Sequence, residues 1–64
     1  PDLKSRLTKR ELEIARLVAL GLRNKEVSED LNIREVTVKT HLTNIFQKLG
    51  VQNRTALARM TDFH

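Results

Sequence analysis

The sequence predicts an all-α fold, a compact domain of four helices. Capping residues and glycines divide the chain into segments of helical length. Within the longest segment, apolar residues recur with the period of an α-helix. The chain has 64 residues and no cysteine, so disulfides and thiolate zinc sites are excluded and one small core must stabilise it.

The first helix is predicted to begin after Thr8 and to run to about Leu20. Thr8 and Glu11 have the spacing of a capping box, in which the hydroxyl and the carboxylate each accept from the other residue's backbone amide. Gly21 supplies the residue that ends the helix. The apolar face of this helix consists of Ile14, Leu17 and Val18.

The second helix is predicted from about Asn24 to Leu31, with Val27 and Leu31 buried. Asn32 ends it, because asparagine tolerates the left-handed conformation. A tight turn of about three residues then leads to the third helix. The expected order is therefore a short helix, a tight turn and a longer helix.

The third helix is predicted from about Glu35 to Leu49, followed by Gly50 as its C-terminal stop. Asn53 is the expected N-cap of a fourth helix that continues to about Met60. At about 100° per residue, one side of the third helix carries a stripe of core residues about 100° wide. The stripe consists of Val38, Leu42, Ile45, Phe46 and Leu49.

The opposite side of the third helix is polar and contains no acid. It carries Val36, Lys39, Thr40, Thr43, Asn44 and Gln47. The basic residues are also unevenly distributed, since residues 36–61 contain four basic residues and no acidic one. Charge alone is a weak signal, because a solvated basic face is common, but a positive field of this kind attracts polyanions.

Together the tight turn, the charge bias and the mixed polar face predict a helix-turn-helix domain that binds duplex DNA. The major groove is about 12 Å wide and admits one helix, whose polar groups pair with base edges while methyl groups meet thymine methyls. Val36, Lys39, Thr40 and Thr43 supply that mixture of groups. An ordinary solvated face is the simpler explanation for any one polar helix, and the combination of three signals favours DNA.

Four motifs in this chain resemble the LuxR/FixJ (GerE-like) DNA-binding domain over about Leu7 to Met60. They are Leu7-Thr8-x-Arg10-Glu11-x-Glu13-Ile14, Gly21-Leu22-x-Asn24-Lys25-Glu26-Val27, Thr37-Val38-Lys39-x-His41 and Ile45-x-x-Lys48-Leu49-Gly50-Val51-x-Asn53-Arg54. The resemblance implies a C-terminal output domain of a bacterial transcription regulator, such as a two-component response regulator. It also implies a third helix in the major groove and a fourth helix that mediates dimerisation.

The resemblance and the residue pattern together give the expected functional residues. Base contacts are expected from Val36, Lys39, Thr40 and Thr43. Contacts with the DNA backbone are expected from Arg23, Asn24, Lys25, Arg34, Thr37, Asn44 and Lys48. The dimer surface is expected around Thr55, Ala58 and Arg59. Residues 1–6 are interpreted as the end of a linker from an upstream regulatory domain, and residues 7–64 as the DNA-binding domain.

The chain departs from the family pattern at three positions. Arg23 and Arg34 stand where small hydroxyl residues often precede the second and third helices, so each helix loses an N-cap worth about 1 kcal/mol. Asn24 is an alternative cap for the second helix, one residue later. We expect the two arginines to contact phosphates instead. In the fourth helix, Leu57 replaces the usual alanine.

Other classes of function fit the sequence less well. The sequence lacks a nucleophile paired with a base, a phosphate-binding glycine loop and metal-ligand spacing, so it does not predict an enzyme. No cofactor is expected. Two phenylalanines do not form a stacking platform for single strands or RNA. No apolar stretch reaches the ~20 residues of a membrane span, so a cytoplasmic protein is expected. The family resemblance implies a location at the bacterial nucleoid and RNA polymerase among the partners. The alternative is a helical protein-interaction module whose basic face meets an acidic partner.

Overall fold

A computed structural model of the chain describes residues 3–60. The expectations for residues 1–2 and 61–64 therefore lie outside the described residues. Four α-helices follow a short 3₁₀ helix at Leu3–Arg6, and no strand occurs within residues 3–60. The helices are α1 (Lys9–Ala19), α2 (Asn24–Leu31), α3 (Glu35–Leu49) and α4 (Arg54–Ala58). The predicted all-α fold of four helices is confirmed.

Helix α1 begins with the predicted capping box. The Thr8 hydroxyl accepts from the Glu11 amide at 3.2 Å, and the Glu11 carboxylate accepts from the Thr8 amide at 2.9 Å. The helix ends one residue before Leu20, and Gly21 follows with a φ of 101° that disfavours any residue with a side chain. Local residues therefore define both ends of α1.

Helix α2, the turn and helix α3 have the predicted boundaries. Asn32 adopts the left-handed conformation, with φ 57° and ψ 47°, and ends α2. The Ile33 amide then donates to the Ser28 carbonyl at 2.9 Å, which turns the chain back across the end of α2. Only three residues separate the two helices, so the start of α3 lies next to the end of α2.

The core is shared by all four α-helices. Its buried apolar residues are Ile14, Ala15, Val18, Val27, Val38, Leu42, Ile45, Leu49 and Leu57. Leu31, predicted to be buried, is only half-buried at the end of α2, and Phe46 is half-buried at the edge of the α3 stripe. Both lie on the periphery because the domain is too small to enclose every apolar residue.

The structure adds detail at both ends of residues 3–60. Helix α4 ends at Ala58 rather than at about Met60, because the chain leaves helical geometry once Met60 packs against the core. The segment interpreted as a linker contains the 3₁₀ helix, which packs against α3. Within it, Arg6 donates a long hydrogen bond of 3.4 Å to the Lys48 carbonyl.

Candidate nucleic-acid interface

Helix α3 has one buried side and one exposed side. Val38 and Ile45 are fully buried on the inner side. The outer side carries the predicted base-contacting residues, all of them exposed: Val36, Lys39, Thr40 and Thr43. Val36 keeps 61% of its surface exposed, although it is a large apolar residue. The structure therefore brings the four residues together on one solvent-facing surface.

The two threonines of this surface have restricted hydroxyl groups. The Thr40 hydroxyl donates to the Val36 carbonyl at 3.1 Å, and the Thr43 hydroxyl donates to the Lys39 carbonyl at 3.1 Å. Each hydroxyl hydrogen is therefore used inside the helix. Each threonine still has oxygen lone pairs and a methyl group to offer a ligand.

The start of α2 lies beside the same surface. An open groove of about 400 Å³ is lined by Asn24, Lys39, Leu42, Thr43, Phe46 and Arg54. Arg54 donates from one side to the Asn24 side-chain oxygen and from the other to the Leu22 carbonyl. Because its oxygen is occupied by Arg54, the Asn24 side chain presents its NH₂ group as the donor available for another partner.

This contact corrects the alternative cap for α2. Helix α2 begins with Arg23 at the N-cap position, and Asn24 is already inside the helix with its oxygen turned to Arg54. Arg23 makes no side-chain capping bond, but its backbone amide donates to the Glu26 carboxylate at 2.8 Å. Glu26 thus supplies half of a capping box.

Arg34 at the start of α3 also makes no side-chain capping bond. A guanidinium group has no acceptor atom, so it cannot satisfy the free amides of the first turn. Arg23, Lys25 and Arg34 are all exposed, Thr37 is half-exposed, and Asn44 is exposed on the flank of the α3 surface. The expected backbone-contacting residues at the two helix starts are therefore accessible to a ligand.

Lys48 differs from the other expected backbone contacts, because it already has a partner within the fold. Its ammonium group lies 2.7 Å from the Glu11 carboxylate, whose side chain is only 5% exposed. Burial raises the pKa of Glu11, but hydrogen bonds from Lys48 and from the Thr8 amide outweigh burial and leave the pKa below its ordinary value. The pair joins the start of α1 to the end of α3.

The expected dimer surface is exposed in part. Thr55 and Arg59 are exposed and Ala58 is half-buried. Leu57, the departure from the family pattern, is completely buried in the core. Its larger side chain therefore packs inside the domain and is directed away from the expected dimer surface.

Arg54 is the residue that sequence reasoning missed. Its two contacts reach 30 and 32 residues back along the chain, to the segment before and at the start of α2. Its local sequence shows only an ordinary basic residue in the first turn of a helix. The absence of any acidic neighbour between residues 36 and 61 was the one available signal that Arg54 pairs with neutral oxygens.

Residues 3–60 offer no group of three His, Cys, Asp or Glu side chains arranged to hold a metal ion. Over the same stretch, no helix has both the length and the apolar character needed to cross a membrane.

Comparisons with known proteins agree with this architecture. The profile described as "Bacterial regulatory proteins, luxR family" matches residues 5–61. The chain is 60% identical over 52 residues to the transcriptional regulatory protein LiaR of Bacillus subtilis, covering 81% of the chain and 25% of that relative. It is 48% identical over 55 residues to the nitrate/nitrite response regulator protein NarP of Escherichia coli, covering 86% and 26%.

The response regulator protein VraR of Staphylococcus aureus is 48% identical over 54 residues, covering 84% of the chain and 26% of the relative. The domain is thus a helix-turn-helix DNA-binding fold of the kind found in transcription regulators, and it is not an enzyme fold. The chain belongs to the luxR family of bacterial regulatory proteins. It spans about a quarter of the length of the relatives it matches.

Proposed function

We propose that this domain binds duplex DNA sequence-specifically, with α3 in the major groove. The observation that supports this function is the acid-free outer side of α3, where Val36, Lys39, Thr40 and Thr43 are exposed opposite a buried stripe. A single helix fits the groove, and its first half reaches the base edges. Lys39 supplies the donor for a guanine or another acceptor on a base edge.

The DNA backbone is contacted from the starts of α2 and α3. Arg23, Lys25 and Arg34 provide positive charge there, and the Asn24 NH₂ group, aimed by Arg54, provides a neutral donor. Thr37 and Asn44 complete this set on α3. We do not extend the proposal to Lys48, because Glu11 holds its ammonium group at 2.7 Å.

The domain pairs on DNA through α4, with Thr55, Ala58 and Arg59 on the shared surface. A small domain has little apolar surface to spare, so the pairing is weak in solution and is strengthened by DNA. Two domains related by a two-fold axis require two half-sites in the DNA, about one helical turn apart or a multiple of it.

We propose that this activity belongs to a larger protein. Names such as response regulator protein, together with the quarter-length match, support a C-terminal output domain joined to an upstream regulatory domain. Such a regulator works at the bacterial nucleoid in the cytoplasm and acts on RNA polymerase. It requires no cofactor for DNA binding.

Selection from a pool of random duplexes tests the proposal. We expect one enriched motif with two half-sites, bound more tightly than a scrambled duplex of equal length. Lys25→Ala should weaken binding to every duplex about equally and make the dependence of log affinity on log salt shallower by about 1. A domain that enriches no DNA sequence but binds an acidic protein would instead be a protein-interaction module.

A further inference from the structure

Three residues form a row along the outer side of α3. Val36, Thr40 and Thr43 follow each other at intervals of four and three residues, so they lie in one row on the helix surface. We call this row the α3 ridge. It extends about 10 Å along the helix axis, which is about three base-pair steps.

The α3 ridge offers methyl groups and oxygen acceptors, but no hydroxyl donors. The hydroxyl hydrogens of Thr40 and Thr43 are committed to the carbonyls of Val36 and Lys39. Valine has only methyl groups. A ligand that complements the ridge must therefore present an apolar group together with a hydrogen-bond donor.

Only one kind of base pair presents both groups in the major groove. An A·T pair displays the thymine methyl and the adenine N6 donor, whereas a G·C pair displays two guanine acceptors, one cytosine donor and no methyl. Both kinds of pair display two acceptors and one donor, so the thymine methyl is the group that distinguishes them against the ridge. The apolar surface of the ridge is thus more complementary to A·T than to G·C.

We propose that the α3 ridge recognises A·T base pairs, with Val36 contacting thymine methyl groups and the two threonines accepting from adenine N6. This inference rests on the proposed binding of α3 in the major groove. Lys39, beside the ridge, is the donor that pairs with an acceptor-rich base. The preferred half-site then contains A·T pairs next to one position read by Lys39.

The exposure of Val36 supports its role. Within residues 5–60, Val36 and Leu20 are the only large apolar residues that remain strongly exposed, at 61% and 72%. Leu20 follows α1, outside the surface of α3, whereas Val36 lies in the first turn of the helix proposed to enter DNA. A thymine methyl would cover the apolar surface that Val36 leaves exposed in the free domain.

Replacement of thymine by uracil tests the methyl contact, because uracil lacks only that methyl group. The duplex enriched from the random pool is rebuilt with uracil at one A·T pair at a time. At a pair contacted by Val36 we expect wild-type affinity to fall about fourfold, the effect of one buried methyl group. At pairs outside the contact the substitution should leave affinity unchanged.

Two variants assign the effect to the ridge. Val36→Ala should remove most of the fourfold difference between thymine and uracil duplexes, and its exposed position preserves the fold. Leu20→Ala is the matched control, since it shortens an exposed apolar residue elsewhere and should keep the full difference. A difference that persists unchanged in Val36→Ala would overturn the role of Val36.

The acceptor half of the proposal has its own test. Replacing adenine by purine at a recognised pair removes the N6 donor and should weaken wild-type binding. The Thr40→Val variant keeps the methyl group but loses the oxygen, so it should bind the adenine and purine duplexes equally. Equal wild-type binding to both duplexes would contradict this contact.

The failure of the inference differs from the failure of the proposed function. If a motif is enriched but consists of G·C pairs opposite the ridge, or if wild-type protein binds thymine and uracil duplexes equally, the A·T inference is overturned and DNA recognition stands. If no motif is enriched at all, both are overturned.

Discussion

The four α-helices begin in two different ways. Helices α1 and α4 start with side-chain caps, from Thr8 and from Asn53, whose oxygen accepts from the Ala56 amide at 2.8 Å. Helices α2 and α3 start with Arg23 and Arg34, neither of which makes a side-chain capping bond. A cap is worth about 1 kcal/mol, so the domain gives up stability at two of four helix starts.

The two kinds of helix start coincide with two different proposed roles of the helices. The capped helices support the fold: α1 contacts the other three α-helices and carries the buried Glu11. The arginine-started helices form the helix-turn-helix, and Asn24, in the first turn of α2, lines a groove with Lys39 and Thr43 of the surface proposed to bind DNA. Free amides and a guanidinium group at such a start are both donors for phosphate oxygens.

The largest expected effect is at the capped start of α1. Glu11→Ala removes the bond to the Thr8 amide and the partner of Lys48, and it should lower the free energy of unfolding by about 2–4 kcal/mol. Denaturant unfolding measures this loss. Lys48→Ala should cause a smaller loss, because Lys48 is partly exposed, and a loss of DNA affinity without a loss of stability would instead assign Lys48 to the interface.

On the DNA-facing side, Lys39→Ala should cost about 1–3 kcal/mol of binding free energy on the enriched duplex and much less on a scrambled one. The reason is that a base contact is lost only where the correct base is present. Lys9→Ala, which removes the same charge from an exposed position in α1, is the control. Equal losses on both duplexes would make Lys39 a phosphate contact.

A cap introduced at the start of α3 should move stability and affinity in opposite directions. Arg34→Ser should raise the free energy of unfolding by about 0.5–2 kcal/mol, because serine accepts from an unpaired amide. It should also weaken binding to all duplexes, because a phosphate contact is lost. Thermal unfolding and a salt titration of binding measure the two effects.

The matched control is Asn53→Ser in α4, where one good cap replaces another. It should change the free energy of unfolding by only a few tenths of a kcal/mol and leave DNA affinity unaltered, since the two residues cap about equally well. If Arg34→Ser stabilised the domain without weakening binding, Arg34 would be a solvated residue, and the two classes of helix start would not differ in function.

The smallest expected effect is that of Glu11 on the pH dependence of stability. It concerns the capped start of α1 and not the arginine-started helices. The pKa of Glu11 is lower in the folded domain than in the unfolded chain, so its contribution to stability is present near neutral pH. That contribution is lost as pH falls through the folded pKa. Denaturant unfolding between neutral and acidic pH should show a shallower decline in Glu11→Gln than in wild type.

Local signals predicted most of this fold. The boundaries of α2 and α3 follow from Asn32 and Gly50, two left-handed residues whose effect depends on their immediate neighbours. The buried stripe of α3 follows from its period, apart from Phe46 at its edge. The end of α4 could not be predicted in this way, because Met60, just after the helix, packs against the core.

Contacts between distant residues were not predictable from local sequence. The partner of Lys48 is 37 residues away, and one partner of Arg54 is 30 residues away. Both basic residues are indistinguishable in the sequence from exposed cations, although one stabilises α1 and the other orients Asn24. The exposed face of α3 was easier to predict, because it depends on a regular spacing within one helix.

Backbone amide chemical shifts recorded during titration with the enriched duplex test the central claim most directly. We predict that the largest changes occur at Val36, Lys39, Thr40 and Thr43 and at the arginine-started ends of α2 and α3. The capped start of α1 should change little. Large changes at Thr8 and Glu11, with the outer side of α3 unaffected, would contradict the assignment of DNA recognition to that surface.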